Sequence, residues 1–587
     1  MTDKLLIFER LLFFFKTMFT AIMGSLISLS IAAAESVEAD EAYRAAVAQF
    51  EPLADQQCEA GGLTGVSTAW VDDQKIVYAR GFGFADPRKK TPARPQTVYR
   101  AGSISKLFTA VAVMQLAEQG KLDIDRPVAE YAPQFRLATP FENAPPITPR
   151  LLMCHRSGMF RESPVGGYFD SSQPGLEATV ASITDCVPPL PPNTKTKYSN
   201  IGASVNGWLI EKICGVPYPE YMQEKILAPL GMEHSSFLLN DSIRSHLAAG
   251  QMRVADGRGG FHAVEAPLFE LGTIPAGNLY TSAEDLARFL KMLFAQGRCG
   301  DQRLLRPETL QKMCTSQAPG EKDSFGLGFF PGKYRDHETI GHMGEVYGHT
   351  AYLLTIPKFK LGVVVLCNDD IAAGPVARLA ETALGLMVSA KRGEPPPEEK
   401  KIISLAPAEL AAYAGEYESE SYWAQIAVRG ERLAATVSGQ EFTLAPTAAD
   451  RFWGNGRVAF NLEWTFQRDA GGKIEGFSAL NQTFRRVDPR TPREIPGAWK
   501  DFLGAYGPEF IPLIISVKHG HLYAMTENMY DYRLTPLNRV VFKMPPGMYV
   551  DEQLVFLRDE AGRVPTALFA NMPLKRIGNR PRDPSHQ

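Results

Sequence analysis

The chain has 587 residues, 62 Lys and Arg against 65 Asp and Glu, a formal net charge of −3 at pH 7 and 45% hydrophobic residues. That length holds about two to four domains with sizeable cores, and so even a charge balance gives no electrostatic grip on nucleic acid. The ten histidines and seven cysteines show no His-Glu-x-x-His or Cys/His ligand spacing, and no Gly-rich loop precedes a basic residue, so neither a metal nor a nucleotide cofactor is expected.

In chain order, the first element is a targeting segment. Lys4, Arg10 and Lys16 flank apolar residues, Met18 to Ala34 carries no charge, and Ala32-Ala33-Ala34 before Glu35 suits the small-residue cleavage rule. Residues 1–34 therefore read as a signal peptide, with Met18 as another start and an uncleaved membrane anchor as the alternative. The mature protein is expected to be periplasmic or secreted, and no cysteine near the cleavage site marks a lipoprotein. All seven cysteines lie between Cys58 and Cys367. An exported chain can form disulfides, with Cys299 and Cys314 a local pair, but buried thiols packing as small hydrophobes is the preferred reading.

Ser103-Ile104-Ser105-Lys106 comes next, followed by the apolar run Leu107 to Ala117 and then Gly120. The run predicts a buried helix beginning near the serine and closed by the glycine. A serine hydroxyl needs a base within hydrogen-bond reach to become a nucleophile, and a lysine three residues on faces it across one turn. A helix N-terminus also favours the negative charge that develops during attack. Tyr198-Ser199-Asn200 precedes a second helical run that ends at Cys214-Gly215, and His342-Met343-Gly344 precedes two apolar segments, Ala351–Ile356 and Leu361–Leu366, that read as buried strands joined at Pro357-Lys358. One such motif is weak evidence, but the ordered trio is specific.

With these motifs, with Leu151-Leu152-Met153-Cys154-His155-Arg156-Ser157-Gly158 and with Pro275 to Phe289, the chain resembles the serine β-lactamase and penicillin-binding-protein superfamily. The likeness is to its class C-like branch of esterases, D-aminopeptidases and mitochondrial proteases, over about residues 45–390. The resemblance implies an α+β, β-lactamase-like catalytic domain with a central antiparallel sheet, at residues 35–390. It implies Ser103 as nucleophile and Lys106 as its partner, with a pKa lowered by burial. Tyr198 would be general base and acid, helped by the Lys106 cation because a phenol titrates near about 10 in water. Asn200 would orient Lys106 and touch the substrate amide. Backbone N–H groups of Ser103 and Glu345 would form the oxyanion hole, with Gly344 leaving room for substrate. His155 is expected to shape the domain, and Tyr347, Gly348 and His349 to rim the cleft. His342 departs from the true β-lactamases, which carry lysine there. A mostly neutral imidazole weakens recognition of a free carboxylate.

Past Ala390, the segment 391–401 is rich in proline and charge and reads as a linker. An internal duplication follows, at an offset of about ninety positions. Tyr413-Ala414-Gly415-Glu416-Tyr417 matches Phe502-Leu503-Gly504-Ala505-Tyr506, and Phe484-Arg485-Arg486 matches Leu574-Lys575-Arg576. Short alternating runs such as Leu433–Val437 and Leu513–Val517 predict antiparallel strands closing into two small all-β barrels, residues 402–490 and 491–587. They resemble the lipocalin-like modules appended to class C-like hydrolases.

The combined expectation is an exported serine hydrolase working through an acyl-enzyme on small peptide, amide or ester substrates, with no cofactor, metal or nucleic acid. A peptidase of the aminopeptidase or D-amino-acid-amide type is preferred. A carboxylesterase, a weak β-lactamase and a penicillin-binding sensor with slow deacylation stay open as alternatives. Oligomeric state is left open, a homo-oligomer included.

Overall fold

The two runs with no polar alternation lie in the middle of a seven-stranded antiparallel sheet. Its strands are β1 (Gly65–Asp72), β2 (Lys75–Asp86), β3 (Thr91–Pro92), β4 (Phe330–Tyr334), β5 (His337–Val346), β6 (His349–Ile356) and β7 (Leu361–Cys367), in the order β4-β5-β6-β7-β1-β2-β3. This is a computed structural model, and it describes residues 36–60, 62–255, 261–396, 400–488 and 494–578. The segment read as a signal peptide falls outside the described residues. Among those that are described, no helix is long and apolar enough to cross a membrane.

β7 is buried along its whole length. Val363 and Val365 pack with helices α1 (Arg44–Glu59) and α5 (Ala373–Arg392), while Val364 and Leu366 belong to the core on the other face. A strand covered on both sides has no solvent face, so its sequence does not alternate. The second face carries the helical half of the domain, including α2 (Ser105–Glu118), α3 (Asn200–Cys214) and α4 (Ala283–Phe294). Every residue of α2 from Ser105 to Leu116 is buried, as expected of a helix apolar all round. α3 starts from Ser199, whose hydroxyl accepts the Gly202 N–H at 2.9 Å, and stops at Gly215 in the left-handed region, φ 72°. All seven cysteines are free thiols, Cys299 and Cys314 included.

α5 runs through Lys391 and Arg392, so the stretch read as linker begins as the last turn of a helix. Eight strands between Gly415 and Val487 then form a closed antiparallel barrel. The duplication recurs as repeated contacts. Tyr417 Oη donates to Tyr413 O at 2.7 Å and Tyr506 Oη to Phe502 O at 2.8 Å, while Arg486 and Arg576 each donate to a carbonyl at the start of their own repeat, Ala414 and Leu503. The second repeat departs from the expected closed barrel. Its nine strands form a sheet that stays open between Asp531–Arg533 and Thr535–Pro536. The first barrel satisfies that edge, because Asp531 N donates to Ser438 O (3.1 Å) and Arg533 N to Ser421 O (2.8 Å). An edge capped in this way needs no closure. The two barrels also share one apolar cluster with Phe169, Phe269, Val346 and Tyr347 of the catalytic domain.

Candidate active site

Ser103 lies in the turn just before α2. Ile104 N and Ser105 N bond back to the carbonyls of Ala101 and Gly102, and Lys106 N bonds to Ser103 O at 3.1 Å. This tight turn sets Lys106 Nζ 3.0 Å from Ser103 Oγ, while Nζ donates to Ala276 O at 2.8 Å. Lys106 is buried, and burial, with the nearby Arg161 charge, holds its pKa well below the ordinary lysine value against the opposing pull of Glu162.

Tyr198, two residues before α3, lines the same cleft as Ser103, with Lys106 Nζ 4.9 Å from its ring centre. His155 stacks on its ring at 4.1 Å between centroids, and the guanidinium of Arg161 sits 5.2 Å from the ring centre. Burial pushes the phenol up to about 12, with Ser103 and Arg161 pulling the other way. Lys106 Nζ, as the sequence suggested, and the Arg161 guanidinium, which it did not, thus both lie beside the phenol. Asn200 does not reach Lys106 by any hydrogen bond. Its amide donates to Glu162 Oε1 at 2.5 Å, and the carbonyl of Ala276 orients the lysine instead.

The third motif arrives on β5. Gly344 is required by a backbone approach: a Cβ there would lie 1.9 Å from Ala101 O, and one on Gly102 (φ 52°) would lie 2.6 Å from Glu345 N. Two glycines thus let the strand touch the turn that carries Ser103, bringing the Ser103 and Glu345 backbones together at one side of the hydroxyl. The Glu345 carboxylate accepts from Thr350 Oγ1 at 3.5 Å. His342 is buried, with Nδ1 2.6 Å from Met343 O, and burial beside Lys106 lowers its pKa to about 4. It is a neutral imidazole, Nδ1–H donating to the carbonyl, and Nε2 is buried with no partner. Tyr347, Gly348 and His349 do not rim the cleft. They are buried, Tyr347 against Tyr168, Phe269 and Phe510, and His349 with a pKa near 3.

The second barrel reaches this same region. Glu552 Oε1 accepts from Lys197 Nζ at 2.6 Å and from Arg161 N at 2.9 Å, with the Lys197 and Glu552 side chains only 1% and 2% exposed. Tyr549 lies on Arg161 (5.7 Å), opposite Tyr198, and its hydroxyl donates to Glu527 at 2.8 Å. From the first barrel, Arg457 donates to Gly62 O at 2.9 Å and to Asp370 O at 3.2 Å, next to the Glu345 strand end.

A family model described as Beta-lactamase matches residues 47–386, more than half of the chain and all three motifs. The chain belongs to the beta-lactamase family. That places it in the superfamily of the serine β-lactamases and penicillin-binding proteins. Among relatives, it is 25% identical over 320 residues to Protein flp of Staphylococcus aureus (strain MRSA252), covering 54% of this chain and 62% of that one. It thus spans about six tenths of that relative's length. Among solved structures, an octameric penicillin-binding protein homologue from Pyrococcus abyssi superposes with a TM-score of 0.53 at 25% identity, over 75% of this chain and 99% of that one. A D-amino acid amidase from Ochrobactrum anthropi SV3, complexed with L-phenylalanine amide, has a TM-score of 0.50 at 22% identity over 59% and 99%. That last likeness speaks to the fold.

The sequence did not single out Arg161, Glu162, Lys197 or Glu552. Phe160-Arg161-Glu162 follows Ser157-Gly158 closely, and a charged pair inside a run of buried residues is a usable signal. Nothing near Glu552 in the chain marks it, because its partners lie more than three hundred residues earlier.

Proposed function

We propose that this protein is an exported hydrolase of small amides and esters, amino-acid amides and short peptides foremost, acting through an acyl-enzyme on Ser103. The arrangement that carries the reading is a buried amine, held toward its neutral form, 3.0 Å from the Ser103 hydroxyl and 4.9 Å from the ring centre of Tyr198. A neutral Lys106 has a lone pair for the Ser103 proton. The protonated Tyr198 phenol can then pass a proton to the departing amine or alkoxide, and the Ser103 and Glu345 N–H groups face the developing oxyanion. His342 supports substrates without a carboxylate at that place, since it offers an unpaired acceptor where a fixed cation would hold an anion.

A fluorophosphonate should label one peptide, that containing Ser103. Ser103→Ala should abolish labelling and cut turnover of p-nitrophenyl esters and aminoacyl anilides by at least about a thousandfold. Nitrocefin should be turned over far more slowly than either. Labelling that survives Ser103→Ala, or a preference for nitrocefin, refutes the proposal. A labelled enzyme that shows a single burst and no turnover on any panel member would instead indicate a penicillin-binding sensor.

A further inference from the structure

The cavity that opens at Ser103 is larger than a small amide needs. It measures about 1300 Å³ and runs from Ser103, Tyr198 and His342 to Trp453 and Phe460 on the first barrel. Single-ligand pockets are typically about 300–1000 Å³. The sheet edge provides the route. β4 pairs with β5 only from His337 to Gly341, so from His342 onward β5 is the rim of the sheet. Beyond that rim the cavity continues along the opposite face, over Met343, Tyr352 and Leu354. It is walled there by Arg378 and Glu381 of α5 and by Asn455 and Asn461 of the barrel.

The charge of this cavity opposes that of the chain. Arg161, Lys333, Arg335, Arg378, Lys400 and Arg432 line it, against Glu345 and Glu381, in a protein of net charge −3. Lys400 is accounted for, with Glu381 and Glu463 near it. Among the described residues, Lys333, Arg335, Arg378 and Arg432 have no carboxylate within ion-pair distance. Unpaired basic groups converging on a cleft concentrate anions there. The Phe460 ring and the amides of Asn455 and Asn461 suit an extended backbone with side chains.

We propose that this chamber is a second subsite, which takes an acidic, extended segment of a peptide substrate whose scissile group lies at Ser103. The anion is read by a wall of cations on the far side of the strand, replacing the fixed lysine that position 342 lacks. The inference rests on Ser103 as the reacting group.

The test uses the full chain and matched chromogenic peptide substrates with one scissile group and either a Glu-Glu or a Gln-Gln tail, with p-nitrophenyl acetate as the baseline. The acidic tail should lower KM about three- to tenfold, and the advantage should shrink as salt is added. Combined Lys333→Glu and Arg378→Glu should abolish or invert the preference while leaving p-nitrophenyl acetate kinetics unchanged. No tail preference in the unmodified enzyme overturns the inference. So does a preference that survives the double variant, or a double variant whose only change is a lower melting temperature. Each of these leaves Ser103-dependent ester turnover intact, whereas failure of the nucleophile assignment appears as ester turnover surviving Ser103→Ala.

Discussion

Replacing Glu552 with alanine should disable the enzyme from a distance. Lys197 and Glu552 form a pair at 2.6 Å with both side chains almost wholly buried, and the same oxygen accepts the Arg161 N–H at 2.9 Å. Removing one member of a buried pair costs about 3–5 kcal/mol, because the remaining charge is left uncompensated. The orphaned Arg161 N–H falls within that range, since an unsatisfied buried donor alone costs about 1–3 kcal/mol. Val550 O, 3.0 Å from Lys197 Nζ, offsets only part of the loss. At about 1.4 kcal/mol per factor of ten, the docked arrangement of the second barrel loses two to three orders of magnitude. Tyr198 follows Lys197 directly, and its ring is covered by Arg161, so the loss should reach the chemistry. The expected result is a fall in kcat of at least about tenfold on p-nitrophenyl esters with KM little changed. New protease cleavage near Asp551 should accompany it. The paired change Lys197→Met with Glu552→Leu should recover most of the loss, as apolar replacements of buried pairs usually do. A Glu552→Ala enzyme with unaltered kcat and cleavage pattern refutes the reasoning. So would a double variant no better than the single one.

Two other predictions concern the constellation itself. Activity should need Lys106 in its neutral form, and burial lowers its pKa, so kcat/KM should fall on acidification through that depressed value, which lies below that of an ordinary lysine. Lys106→Arg, always charged, should lose turnover at every pH of a full pH–rate profile. Gly344→Ala places a methyl group 1.9 Å from the Ala101 carbonyl, which forces β5 off the Ser103 turn. It should lower kcat by about a hundredfold, as steady-state ester kinetics will show, with a smaller effect on KM.

The parts of this molecule that sequence exposes are those whose cause is local. The Ser103–Lys106 spacing, the Ser199 and Gly215 helix ends and the unbroken Leu361–Leu366 run each depend on a few neighbouring residues. The repeat of Tyr413–Tyr417 as Phe502–Tyr506 was legible too, though not the hydrogen bonds it encodes. What stayed hidden depends on distant partners. Tyr347 looks like a polar rim residue until Phe269 and Phe510 are packed against it, and His349 until Tyr99 is. The charge of Lys106 depends on burial and on Arg161, and the second barrel's open edge depends on Ser421 and Ser438. Gly344 also has a reason the sequence did not show: its missing side chain makes room for the Ala101 carbonyl.

The pair between Lys197 and Glu552 spans 355 positions of the chain, and that separation sets a clock. Translation at about 5–20 residues per second puts roughly 20–70 s between the emergence of Lys197 and of its counter-ion. Through that interval the serine, lysine and tyrosine have all been made, yet the buried charge beside the tyrosine has nothing to settle against. The order of synthesis thus leaves Lys197, next to Tyr198 in the chain, without its counter-ion until the second barrel has been made.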